Sequence, residues 1–177
     1  MGYTQMFNKT FIVAALMVSS SAFAAESTGV AGGTITFNGS DFTVNLSPIA
    51  VGDMGTTAGV VKTNAKDFTM NLKNCSAASD EAKTLKITFS SSNLSDDAKY
   101  LKNYSDNGAE GVGIALTKDG NTAVPFDTAF DTGLSSADAA TEDGVTLTMY
   151  ANYYNYGGAA VTTGKVVTDA TYSFSYD

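Results

Sequence analysis

The side chains able to do chemistry are few, and which ones are missing narrows the function. Histidine and arginine are both absent from the 177 residues, and Cys75 is the one cysteine. Without histidine there is no Ser-His or Cys-His relay, no His-containing zinc site and no imidazole switch. A lone cysteine closes no internal disulfide framework and reads as a buried, inert thiol. A hydrolase built on paired carboxylates needs two acids held about 5–10 Å apart across a cleft, and no spacing in the chain proposes a pair. The stretches Ser95-Asp96-Asp97 and Thr141-Glu142-Asp143-Gly144 carry oxygen ligands. Neither reproduces an EF-hand loop, so both read as solvated turns. Tyr150, Tyr153, Tyr154 and Tyr156 offer aromatic faces that a sugar ring could stack on. Tyrosine is also favoured in strands, and these four cannot share one face, so packing or subunit contact is the commoner use. Ten lysines against 18 acids give a net charge of −8. With no basic stripe, nucleic-acid binding is excluded. The residues point to no enzyme, no cofactor and no metal.

Function must then lie in how the backbone is presented. The 44% hydrophobic content is enough to bury a core, and the length suits one domain. Large apolar residues alternate with small polar ones in short runs: Ile35 and Phe37; Phe42, Val44 and Leu46; Phe68, Met70 and Leu72; Leu85, Ile87 and Phe89. The pattern continues through Val112, Ile114 and Leu116, then Val145, Leu147 and Met149, and ends with Tyr172, Phe174 and Tyr176. A period of two places each set on one sheet face, and about seven such runs separated by turn residues predict an all-β sandwich. Asp119-Gly120 between the Ile114 and Phe126 runs predicts a hairpin that pairs them. Helical spacing is scarce; residues 95–103, with Ser95 as N-cap, fit a short helix or turn.

Residues 1–24 read as a secretory signal. Lys9 is its one charged side chain, residues 11–18 (FIVAALMV) are apolar, and Ala22-Phe23-Ala24 fits a small-residue cleavage site ahead of Ala25. That apolar run is shorter than the roughly 20 residues a helix needs to span a bilayer, and no later run comes closer, so no membrane insertion is expected. Residues 25–33 (AESTGVAGG) read as the start of a flexible arm that becomes a strand at Thr34.

Four stretches then carry a resemblance: VAGGTITF at 30–37 followed by Gly39, FTMNLKNC at 68–75, VGIALTKDG at 112–120, and a C-terminus with Gly164 fourteenth from the end and Tyr176 penultimate. In these the chain resembles the major subunits of chaperone-usher pili, the type 1 pilin family, over most of residues 25–177. The resemblance implies an incomplete immunoglobulin-like sandwich, residues 41–177, completed by a donor strand from a neighbouring subunit, with residues 25–40 as the donor arm. Gly33, Ile35, Phe37 and Gly39 would form the inward face of that donor. Gly164, Tyr172, Phe174, Tyr176 and the carboxylate of Asp177 would be recognised by a periplasmic chaperone, before exchange at an outer-membrane usher gives an extracellular fimbrium of head-to-tail pilin subunits. The family's first cysteine has no counterpart here, which leaves Cys75 unpaired and the first strand of the sandwich in question. Rival readings are a minor or adaptor pilin at the tip, and a self-contained secreted carbohydrate-binding sandwich.

Overall fold

Alternation becomes strand as expected. Phe68, Met70 and Leu72 are buried while the residues between them are exposed, and Leu85, Ile87 and Phe89 are fully buried in the same rhythm. The computed structural model describes residues 29–38, 42–74 and 83–176. These form eleven strands: β1 (Gly29–Asn38), β2 (Phe42–Leu46), β3 (Ile49–Ala50), β4 (Gly59–Val60), β5 (Lys66–Leu72), β6 (Thr84–Ser90), β7 (Leu101–Lys102), β8 (Val112–Thr117), β9 (Phe130–Ser135), β10 (Val145–Asn155) and β11 (Gly164–Tyr176). One sheet runs β2-β1-β11-β6-β9, with β3 also paired to β1; the other runs β4-β10-β8-β7, with β5 beside β4 on β10. Between them lies the core, in which Leu85, Ile87 and Phe89 of one sheet meet Met149, Ala151 and Tyr153 of the other. The predicted signal segment lies outside the described residues.

Some local expectations are refined and others hold. Residues 29–33 are already strand, because Gly29 and Val30 pair with Ala50 and Ile49 of β3. The turn at Asp119 forms, its carboxylate accepting from the backbone of Asn121 and Thr122 at 2.9 and 2.7 Å. The hairpin beyond it stops at one bridge, Thr117 to Ala123, and the Val124 bond to Leu116. Pro125 comes directly after and has no N–H to continue a ladder. Of the short helix or turn expected at 95–103 the turn forms, and Ser95 caps it, its Oγ accepting from Lys99 and Tyr100 at 3.0 and 3.2 Å. Among the described residues the one α-helical turn, α1 (Ser136–Ala139), is capped by Ser135. The first strand that the missing cysteine put in question, β2, is present.

Candidate functional site

The N-terminal arm completes the first sheet of its own chain. Thr34 through Phe37 are hydrogen-bonded into ladders on both sides: Ile35 sits opposite Val44 of β2 and Thr168 of β11, and Phe37 opposite Phe42 and Ala170. Among the described residues β1 is the one strand joining β2 and β3 to the rest of that sheet. Lift it out, and a groove opens between β2 and β11. Ile35 fills it with no exposed surface, Gly33 is buried beside it, and the intervening Thr34 is half-buried, its Oγ1 donating to Asn45 Oδ1 at 3.3 Å. One wall is Val166, Thr168 and Ala170 of β11, all fully buried, and the other is Val44 and Leu46 of β2.

Direction comes from the connection. Three residues, 39–41, separate β1 from β2, so β1 can only fold back antiparallel to β2. Since β11 runs opposite to β2 across the groove, the arm is forced parallel to β11. Parallel ladders are slightly weaker per residue than antiparallel ones. An arm that belonged to another molecule would not be bound by that tether.

Gly33 is small because Tyr153 of β10 lies over it. A Cβ at Gly33 would stand 2.9 Å from the ring Cε1 of Tyr153, and that ring is fully buried with nowhere to move. The Tyr153 hydroxyl donates to the Ser47 carbonyl at 2.9 Å, which ties the second sheet to the lip of the groove. Burial pushes the phenol well above the ordinary tyrosine range. The folded chain therefore holds this proton at pH values where the unfolded chain has lost it. The stability it confers is complete below pH ~10 and falls as pH rises beyond, toward the raised pKa. Urea midpoints measured from pH 8 to 11.5 are expected to decline above pH 10, with a shallower decline in Tyr153→Phe; equal slopes in the two chains would contradict the assignment.

Gly164 stands opposite Val30, at the first pair of the β1–β11 ladder. Its bare Cα is required by a different neighbour: a Cβ would fall within 2.6 Å of Gly108 and closer still to Ala109. Asn103 draws that loop in. Its Oδ1 accepts from Val167 N at 2.8 Å and its Nδ2 donates to the Lys165 and Ala109 carbonyls, both at 2.9 Å. With the backbone N–H groups of Tyr104 and Ala109, which donate to the Val167 and Lys165 carbonyls, this side chain stands in for a strand along this part of β11. Sequence reasoning missed Asn103, whose one signal was an asparagine beside turn residues.

At the other end β11 outruns the arm. β1 stops at Asn38 opposite Thr171, while residues 172–176 continue, paired with β6 on one side. Among the described residues no strand pairs with their other edge. Tyr172 and Phe174 are half-buried here, the Tyr172 ring centroid lying 6.2 Å from Phe42, 6.5 Å from Phe89 and 5.7 Å from Phe174. Tyr176 pairs through its backbone with Leu85. The structure thus brings Gly33, Ile35 and Phe37 into one sheet with Gly164, Tyr172, Phe174 and Tyr176. Gly39, Cys75 and Asp177 lie outside the described residues.

The tyrosine cluster divides. Tyr153 faces the core, while Tyr154 and Tyr156 flank Tyr100 in a stack with centroids 4.4 and 5.0 Å from the Tyr100 ring and planes within 15°. Tyr100 also covers Gly113 of β8. Beside the stack, Asp96 pairs with Lys102 and Asp97 with Lys99, each at 3.0 Å. Hydrogen bonds from Lys99 and Ser95 hold the Asp97 carboxyl below its ordinary pKa. Among the described residues no three His, Cys, Asp or Glu side chains gather as a metal site.

Comparison with known proteins gives one family and several structures. The model of the fimbrial protein family matches residues 24–177. A chain from a chaperone-usher pilus structure concerned with rod uncoiling shares the fold at a TM-score of 0.55 and 18% identity, over 96% of this chain and 99% of that one. A type I fimbria protein and antigen of Burkholderia pseudomallei aligns at 20% identity over 81% and 89% of the two chains, TM-score 0.48. The P pilus rod subunit PapA aligns at 19% identity over 73% and 81%, TM-score 0.47. No curated protein matches the sequence significantly.

Proposed function

The chain belongs to the fimbrial protein family, whose members are structural pilus subunits rather than catalysts and polymerise with one another outside the cell, and we propose that in this subunit the exchanged element is β1. The observation that carries this is the position of β1. A strand at the sheet's centre, holding β2 to β11, is supplied by a terminal segment attached through three residues. Such a strand can be withdrawn and replaced by an equivalent one without re-threading the rest of the chain. The same segment of another molecule can take its place, with backbone N–H and C=O groups giving affinity and Ile35 and Phe37 giving fit. Because donor and groove are separate surfaces of each subunit, the contact is heterologous and grows head to tail without closing. In this reading the self-inserted chain is the resting monomer, and Gly33, Ile35, Phe37 and Gly39 are the donor's inward face.

Residues 172–176 are the handle for the earlier partner. Their edge lies beyond the arm, so a periplasmic chaperone can pair with it, with a cation of the chaperone holding the carboxylate of Asp177 and the half-buried Tyr172 and Phe174 beside it. An outer-membrane usher would then exchange chaperone for arm, after export of residues 25–177 through the periplasm. Removing Tyr176 and Asp177 is expected to abolish co-purification with a periplasmic chaperone of the chaperone-usher type; a truncated chain that still co-purifies would overturn this handle.

A further inference from the structure

On the outer face of the second sheet, away from the groove, the side chains of Tyr100, Tyr154, Tyr156, Asp96, Asp97 and Lys102 line an open cavity of about 330 Å³. Its construction begins in β10. Tyr153 and Asn155 are fully buried, so a period of two turns Tyr154 and Tyr156 outward. Tyr154 stands opposite Gly113 of β8, and the bare Cα of Gly113 leaves room for Tyr100: a Cβ there would lie 2.9 Å from the ring Cδ2. Tyr100 therefore slides between Tyr154 and Tyr156, which cover both its faces. Tyr156, at one end of the stack and 39% exposed, is the ring that offers the most surface. The turn that carries Tyr100 is fixed by the buried Ser95, whose Oγ accepts from the Lys99 and Tyr100 N–H groups and donates to Asp97 at 2.8 Å.

We propose that this cavity binds a neutral sugar ring. Its charges cancel: Asp96 pairs with Lys102 and Asp97 with Lys99, each at 3.0 Å, so neither a cation nor an anion is drawn in. An apolar peptide is penalised at the same rim, because it would cover charged groups and return no hydrogen bonds. A pyranose meets both halves of the site. Its C–H face carries the small positive charge that sits well on the electron-rich face of a phenol, here Tyr156. Its neighbouring hydroxyls donate to the Asp96 carboxylate, whose side chain is fully exposed, and accept from the Lys102 ammonium, which has three N–H donors and gives one to Asp96. The stack and Ser95 hold these groups in place before the sugar arrives, which lowers the ordering cost of binding. One such shallow site is weak. It lies on the sheet opposite the groove, so strand exchange leaves it open, and a fibre that carries one copy per subunit gains by multivalency.

The test coats fluorescent nanoparticles with the purified chain, so that weak sites act together, and passes them over an array of neutral oligosaccharides ending in hexose or N-acetylhexosamine, beside the same oligosaccharides capped with sialic acid. Particles carrying the natural chain are expected to bind members of the neutral set. Tyr156→Ala removes the stacking surface and Asp96→Ala removes an acceptor, and each is expected to weaken the affinity for a bound oligosaccharide about tenfold. Because the Asp96 side chain is fully exposed, its removal is expected to leave the melting temperature unchanged, so binding lost in that variant is not folding lost. Capture by no neutral oligosaccharide, capture confined to the sialylated set, or undiminished capture by both variants would each overturn the site. None of these outcomes bears on β1, whose exchange is read by peptide uptake in the other sheet.

Discussion

Deleting residues 25–40 is expected to cost the chain its stable fold, and adding back a peptide of residues 29–40 is expected to restore it. Without β1, the ladder groups of β2 and of residues 164–171 of β11 lose their partners together, and β3 loses its only pairing among the described residues. Ile35, which has no exposed surface, leaves a hole over Val166 and Thr168. Burial of one such side chain contributes about 1.5–3 kcal/mol, and stranded backbone groups in a half-open sheet add to the loss. A total above ~5 kcal/mol compares with the ~5–15 kcal/mol that stabilises a whole domain. At ~2–4 °C per kcal/mol, the melting temperature of the deleted chain should rise by at least ~10 °C when peptide is added. A deleted chain that melts as sharply and as high as the intact one would mean that the sandwich is whole without its arm. An intact chain whose arm no peptide can displace would favour a self-contained binding module, with the outward tyrosine stack as a candidate aromatic surface.

Ile35→Asp is expected to stop fibre growth outright. A carboxylate at this fully buried position would stand between Val44 and Thr168 and face the apolar core. An uncompensated buried charge costs several kcal/mol, so the arm is excluded from its own groove and from a neighbour's alike. The groove itself is unaltered, so the variant can still accept a normal arm. Mixed with the natural subunit, it should therefore end chains and shorten fibres in proportion to its share, as counted by electron microscopy. Ile35→Val removes one methylene, costs about 0.5–1.5 kcal/mol and should leave fibres of ordinary length. Normal fibres from Ile35→Asp alone would refute the assignment of the donor strand.

Alternation of residue types marked seven of the strands and which of their faces point inward; β3, β4, β7 and β9 carried no such signal. Ile35, Phe68, Met70, Leu72, Leu85, Ile87 and Phe89 are buried as their spacing implied, because a period of two is a local property written residue by residue. The same pattern marked the leading segment as a strand with a small, apolar inner face. Which sheet that strand enters was not legible. Alternation names a face but not a neighbour, and pairing is settled by residues far apart in the chain that compete for the same edge. Folding in three dimensions was needed to put β1 in its own groove, parallel to β11 because a three-residue connection leaves no other direction. Gly33 and Gly164 both stood out in the sequence, but their reasons are nonlocal: Tyr153 crosses over one from the opposite sheet, and the loop drawn in by Asn103 crosses the other. The tyrosines of β10 could be divided between faces by counting, yet the stack with Tyr100 needed a loop brought up from some fifty residues away. The buried hydroxyl of Thr168, which has no hydrogen-bond partner among the described residues, was invisible altogether, since an unsatisfied buried threonine differs from a satisfied one only in what its neighbours across the fold can offer.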